Sequence, residues 1–236
     1  MENPFRLAVI VPALNEEESI ATVVARVPFP SAWVTVVDNG SSDATAARAA
    51  AAGAHVVLTN KRGYGSACLA GVAANPDADI FVFIDADLSE NPEDMPMLIE
   101  PIVQGHADLV LGARSPRFRP WHARVGTALC VWLINRLWGT HYVDLGPFRA
   151  VRASALGALN MTDETWGWTI EMQVRAAEAQ LRWREIAVPS GPRLAGRSKI
   201  SGSVGGSVRA AYRMLEIIAW LWWTARRRLT PAPEGF

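Results

Sequence analysis

The stretch Asp79-Ile80-Phe81-Val82-Phe83-Ile84-Asp85-Ala86-Asp87-Leu88 decides the fold. Its unbroken apolar run reads as a strand buried on both faces, the kind that fills the centre of a parallel sheet. The run stops at two carboxylates spaced two apart, and residues at i and i+2 of an extended chain share a face. Asp85 and Asp87 are therefore expected to point together from the carboxyl end of a central strand, where open α/β sheets bind ligands. Two adjacent anions repel, so a cation is expected between them. Carboxylate oxygens suit Mg or Mn, and such ions commonly serve a diphosphate. A strand end whose aspartate caps the next turn is the plainer reading of so short a motif, and the rest of the chain decides between them.

Outward from this strand, apolar runs alternate with helical patterns, as in a mostly parallel sheet covered by helices. Strands are expected at Leu7–Val11, Trp33–Val37, His55–Leu58, Ile80–Ile84 and Leu109–Leu111, with helices over Glu16–Val27, Asp43–Ala52, Ser66–Ala74 and Pro92–Gln104. Asp43 suits a helix cap and Pro92 a first helical turn. Beyond Arg114 the pattern loosens into a helix over Trp121–Trp138, a strand near Phe148–Val151, a helix over Trp168–Gln180 and a strand over Leu181–Val188. Ten of the eighteen residues from Ser190 to Ser207 are Gly or Ser, which predicts a mobile loop before a last helix over Val208–Arg228. No internal repeat is visible.

At 236 residues, half of them hydrophobic, the chain can bury a substantial core. Cys68 and Cys130 fall inside apolar helical patterns without metal-ligand or disulfide spacing, which fits a reducing cytoplasm. No leader is expected at Leu7–Val11, and no stretch reaches the ~20 apolar residues of a membrane span. The net charge of zero conceals a polarity: residues 1–111 carry five basic and fifteen acidic side chains, residues 182–228 ten basic and two acidic. A metal-binding front and a C-terminal part that faces phosphates, of a substrate or a membrane, follow from that division. Solvated charged faces are the bland alternative.

Other strand ends carry chemistry too. The first gives Pro12-Ala13-Leu14-Asn15-Glu16-Glu17-Glu18; its acids suit a helix start, and Pro12 with Asn15 can frame a flat base. The second gives Asp38-Asn39-Gly40, where Asp38 can accept from nucleobase N–H groups. The third leads into Asn60-Lys61-Arg62-Gly63-Tyr64-Gly65-Ser66. This glycine turn resembles part of a dinucleotide fingerprint but lies in the wrong βα unit, and Cys68 replaces the third glycine. No phosphate-loop Gly-Lys-Ser signature exists.

In order and spacing, VIVPALNEE, VVDNGSSDAT, NKRGYGSA, FIDADL, LGAR, DLGPFRAVR and PRLAGRSK resemble the family 2 glycosyltransferases, over Leu7 to about Ser201. Within that family the chain is most similar to the dolichol-phosphate mannose synthases and bacterial polyprenyl-phosphate glycosyltransferases. The resemblance implies an α/β fold of the GT-A type: a mostly parallel central sheet with helices on both faces, followed by a C-terminal amphipathic helix. It divides the chain into a transferase domain (1–203), with a nucleotide-binding half (1–114) and an acceptor half (115–203), and a helix with its tail (204–236). It assigns Pro12, Ala13, Leu14, Asn15, Glu16, Asp38, Arg62, Gly63, Asp85 and Ala86 to the nucleotide. Asp85 and Asp87 match the metal and diphosphate aspartates, with Mg or Mn as cofactor. Arg114, Arg193, Arg197, Ser198 and Lys199 match phosphate and acceptor positions. Asp144 matches the general-base position, against a structural pair with Arg149, and Glu171 is a weaker candidate for catalysis.

The chain departs from the family pattern at Ser89, where a metal-assisting glutamine is common, and at Gly146-Pro147 in place of Ser-Gly. The implied activity is inverting transfer of a hexose from GDP-mannose or UDP-glucose to a polyprenyl phosphate. A soluble or polysaccharide acceptor, or a nucleotide-sugar-binding pseudoenzyme, is the alternative. Tryptophans beside arginines on the Trp121–Trp138 helix and the last helix suit a water–lipid boundary on the cytoplasmic face, with core packing or a homodimer contact as the rival reading. No recognised nucleic-acid motif accompanies the basic C-terminal region.

Overall fold

The computed structural model describes residues 5–115, 121–194 and 204–229. Seven strands run β1 Leu7–Ala13, β2 Val34–Asp38, β3 His55–Leu58, β4 Ile80–Phe83, β5 Leu109–Arg114, β6 Arg149–Arg152 and β7 Trp183–Val188. Eight helices join them: α1 Ile20–Arg26, α2 Thr45–Ala51, α3 Tyr64–Ala73, α4 Met95–Val103, α5 Trp121–Trp138, α6 Ala153–Leu159, α7 Trp168–Glu178 and α8 Val204–Leu229. The strands form one sheet in the order β3-β2-β1-β4-β6-β5-β7. All neighbours are parallel except β6, which runs antiparallel to both β4 and β5.

Strand alternation builds the core. Ala8 and Ile10 of β1 face one side with Phe81, Phe83, Leu109 and Leu111, beneath α3, α5, α7 and α8. Val9 and Val11 face the other with Val34, Val36, Val82 and Val110, beneath α1 and α4. Both faces are thus covered, which is why the central strands read as continuous apolar runs.

Three details differ from the sequence expectation. Helix α1 starts at Ile20, not Glu16, because the Glu16 and Glu17 N–H groups donate to the Thr45 and Asp43 side chains of the neighbouring loop instead of opening a helix. Helix α6 was not anticipated, since ASALGAL is too short to show a period of 3.6. Helix α8 begins at Val204, inside the Gly/Ser-rich stretch. Among the described residues no helix is long and apolar enough to cross a membrane.

Candidate active site

The strand order reverses between β1 and β4: β2 and β3 lie to one side of β1, later strands to the other. At such a switch point the loops beyond the strand ends diverge and leave a crevice. Pro12 to Glu16 enter it from β1, Asp38 from β2, and Asp85 to Glu90 from β4.

The two aspartates come together, though not by the expected route. Strand β4 ends at Phe83, and Asp87 lies in a turn rather than on a pleat. The turn is closed by Asp87 Oδ1 accepting from Ser89 N–H at 2.8 Å, and it holds Leu88 at φ 60°. A left-handed leucine is costly and marks a turn held by its surroundings. The turn also brings in Glu90, which the sequence reading passed over in favour of Ser89. Ligand oxygens of Asp85, Asp87 and Glu90 lie within 4.8 Å of one another. Asp87 is 3% and Glu90 1% exposed, and Glu90 Oε1 has no hydrogen-bond partner. Burial, then the Glu90 and Asp87 charges, push Asp85 well above the usual carboxylate range. Burial likewise raises Glu90, against the pull of Arg114. Three clustered carboxylates, with Asp85 and Glu90 both raised and a buried Glu90 oxygen that lacks a hydrogen bond, fit a divalent hard cation.

Two arginines border this cluster. Arg114, at the end of β5, holds Asp144 by two side-chain bonds, Nε to Oδ2 at 2.7 Å and Nη2 to Oδ1 at 3.1 Å, and lies 3.9 Å from Glu90. Burial would lower its pKa, but Asp144 and Glu90 more than offset this and keep it protonated. Arg193 lies 2.7 Å from Asp87 and 3.6 Å from Glu16. Arg197, Ser198 and Lys199 lie outside the described residues.

Asp144 itself is held from every side. The Glu185 carboxylate accepts its N–H at 3.2 Å, Gln173 donates to its carbonyl at 3.0 Å, and Arg114 takes its side chain. A side chain at Gly146 would fall 3.1 Å from both Asp144 Oδ2 and Arg114 Nε, which accounts for glycine there. Arg149, the partner considered from sequence, instead donates to the Thr169 and Gly146 carbonyls, and its burial lowers its pKa to about 10. Glu171 is fully buried on α7, where it accepts from Thr162, from Asp163 N–H at 2.7 Å and from Arg175.

The loops after β1 and β2 are laced together. Asn15, at φ 51°, donates its N–H to Ser41 Oγ and accepts from Ser42 N–H, while Asp38 accepts from Ser41 N–H at 2.7 Å. Asn39 bonds both the Lys61 carbonyl and the Gly63 N–H, tying in the third loop, and the exposed Arg62 passes near Gly40.

The glycines of that third loop serve a contact within the protein. The Gly65 and Ser66 N–H groups donate to the Thr165 and Glu164 carbonyls, and Lys61 pairs with Glu164. The first turn of α3 is thus capped by the loop 162–165 rather than left open for a phosphate. A Cβ on Gly65 would lie 2.0 Å from the Asp163 carbonyl oxygen. Gly65→Ala is therefore expected to destabilise the fold by about 2–4 kcal/mol, read as a lowered denaturation midpoint. An unchanged midpoint would rule out the close approach.

A mostly parallel sheet with carboxylates and arginines gathered at its switch point defines an α/β protein whose ligand crevice lies beyond the strand ends. Residues 8–152 match Glycosyl transferase family 2, and the chain belongs to that family: it is a glycosyltransferase. It is 42% identical over 216 residues to an uncharacterized glycosyltransferase of Mycobacterium tuberculosis, covering 90% of this chain and 98% of the relative. It is 32% identical to the undecaprenyl-phosphate mannosyltransferase of Micrococcus luteus, over 85% of this chain and 90% of that one. To the polyprenol monophosphomannose synthase of Mycolicibacterium smegmatis it is 30% identical, over 91% and 86%. Among solved structures, glucosyl-3-phosphoglycerate synthase from M. tuberculosis, in complex with Mn2+, UDP-glucose and phosphoglyceric acid, superposes with TM-score 0.77. It is 21% identical and covers 93% of this chain and 80% of that one, a likeness of fold.

Proposed function

We propose that the chain transfers a hexose from GDP-mannose or UDP-glucose to a polyprenyl phosphate, with inversion and with help from Mg or Mn. The observation that carries this reading is the cluster Asp85, Asp87 and Glu90 at the switch-point crevice, bordered by Arg114 and Arg193. The relatives named for undecaprenyl-phosphate and polyprenol substrates support the lipid acceptor.

Asp85, Asp87 and Glu90 would hold the divalent ion, which would supply positive charge against the negative charge that grows on the diphosphate as the sugar leaves. The protein supplies the remainder. Pro12 to Glu16 and Asp38 frame the nucleoside, and Asp38 accepts from base N–H groups. Arg114, fixed in place by Asp144, presents a preorganised positive charge toward the phosphates. An acceptor phosphate is already ionised near neutral pH, so its oxygen needs no base; Asp144 then acts by holding Arg114. Glu171, with its oxygens taken by Thr162, Asp163 and Arg175, braces the loop that caps α3.

The acceptor reaches this site from a membrane surface. Helix α5 exposes Trp121, Val125, Leu129 and Trp132 along one stripe, beside the exposed Arg124 and Arg136. On α8 Trp223 is exposed with Arg227 over its ring at 3.5 Å, and Arg226 covers Trp222 at 4.0 Å. Aromatic rings with guanidinium groups suit the headgroup layer. A Trp121→Ser/Trp132→Ser variant is expected to lose at least about tenfold in co-sedimentation with anionic vesicles. Undiminished sedimentation would remove α5 from the docking face.

The function is tested with radiolabelled UDP- and GDP-sugars and a short-chain polyprenyl phosphate, with and without Mn. Label in the organic phase that depends on the metal is the expected result. A water-soluble product alone would discard the lipid acceptor.

A further inference from the structure

After β7 the chain turns back across the acid cluster. Ser190 forms an antiparallel bridge with Glu90, and its Oγ donates to the Ser115 carbonyl at 3.1 Å. The Gly191 N–H donates to the Ser89 carbonyl at 2.9 Å, and the Leu194 N–H to the Asp87 carbonyl at 3.1 Å. The segment 190–194 is thus strapped, backbone to backbone, onto the turn that carries the carboxylates.

Arg193 is the residue this strap delivers. Asp87 Oδ1 is occupied by the Ser89 N–H, and Oδ2 is the atom that Arg193 Nη2 holds at 2.7 Å. Nη1 reaches the Glu16 carboxylate at 3.6 Å on the opposite wall of the crevice. The Asp87 side chain is 4% exposed, so the pair is poorly screened by solvent. A guanidinium and a divalent ion cannot both take Oδ2 without placing two like charges side by side.

We propose that Arg193 is an internal competitor of the metal: it neutralises Asp87 in the ligand-free protein, and entry of a divalent ion expels it and loosens the strap 190–194 from the 87–90 turn. The inference rests on the reading of Asp85, Asp87 and Glu90 as the metal site. Two things that look separate become one event. Filling the donor site opens the segment that covers it, and a cation is released from a carboxylate when the diphosphate and the acceptor need it.

The test uses the full chain without donor or acceptor. Mn2+ affinity is measured by electron paramagnetic resonance for wild type, Arg193→Gln and Arg193→Lys. Arg193→Gln is expected to bind Mn2+ at least about tenfold more tightly, and Arg193→Lys, which keeps the charge, to stay near wild type. In parallel, hydrogen exchange at the Gly191 and Leu194 amides of the wild type is expected to quicken when Mn2+ saturates the site. Equal or weaker affinity in Arg193→Gln would overturn the competition, and unchanged exchange in saturated protein would overturn the coupling to the strap. Both results leave the metal site standing. Failure of wild type and variants alike to bind millimolar Mn2+ would instead remove the metal site, and this inference with it.

Discussion

Replacing Asp87 with asparagine is expected to lower sugar transfer on the order of 10³-fold, because under the proposed function it removes a charge that would hold the counter-ion of the departing diphosphate. The side chain is 3% exposed and its Oδ1 closes the 87–89 turn, so asparagine keeps the shape and the Ser89 bond while it loses the charge. The loss is expected in the rate at saturating donor, since the charge matters most as the bond to the diphosphate breaks. Initial rates at several Mn concentrations provide the measurement. A variant that keeps full metal-stimulated turnover would sink the role given to this carboxylate.

The second large effect concerns stability. Asp144→Ala is expected to destabilise the protein by about 3–5 kcal/mol, because it leaves the Arg114 guanidinium in a poorly hydrated place with its two-bond partner gone. The side chains are 18% and 6% exposed, so solvent screening softens the pair little. A double variant, Arg114→Met with Asp144→Leu, is expected to regain most of that stability, since apolar pairs of similar volume often replace buried ion pairs without loss. It is not expected to regain transfer, because the charge that the proposed function assigns to the phosphates is gone. Urea denaturation and transfer rates together decide the matter. If Asp144→Ala melts like wild type and only its rate falls, Asp144 is moving a proton rather than holding Arg114.

Where the chain reported its structure directly, short-range rules were enough. The apolar runs of β1 and β4 could be read because burial on both faces leaves no polar residue in them, and β2 admits only Thr35 before its closing Asp38. The carboxylates after β4 announced themselves by interrupting such a run. Glu90 did not, because its place depends on the left-handed turn at Leu88 and on a bridge to Ser190, a hundred positions away in the chain. The glycines at 63 and 65 resembled part of a dinucleotide fingerprint set in the wrong βα unit; their close contact is with residues 163–165, a partner that local spacing cannot reveal. Likewise Asp144 was singled out as a match to the general-base position or a structural pair with Arg149, while the arginine that holds it, Arg114, reaches it across thirty residues from the end of β5. Antiparallel β6, set between β4 and β5, was legible as a strand but not in its position.

That reversed strand has a consequence for anyone dissecting the enzyme. β6 comes from the portion of the chain after residue 114, yet it supplies the backbone partners that join β4 to β5. A fragment cut at Arg114 would carry β4 and β5 with nothing to zip them, two raw edges prone to pair with strangers. Chimeras that seek a new acceptor specificity must therefore exchange surface loops around a shared sheet, since no seam runs through it along which one half could be lifted away.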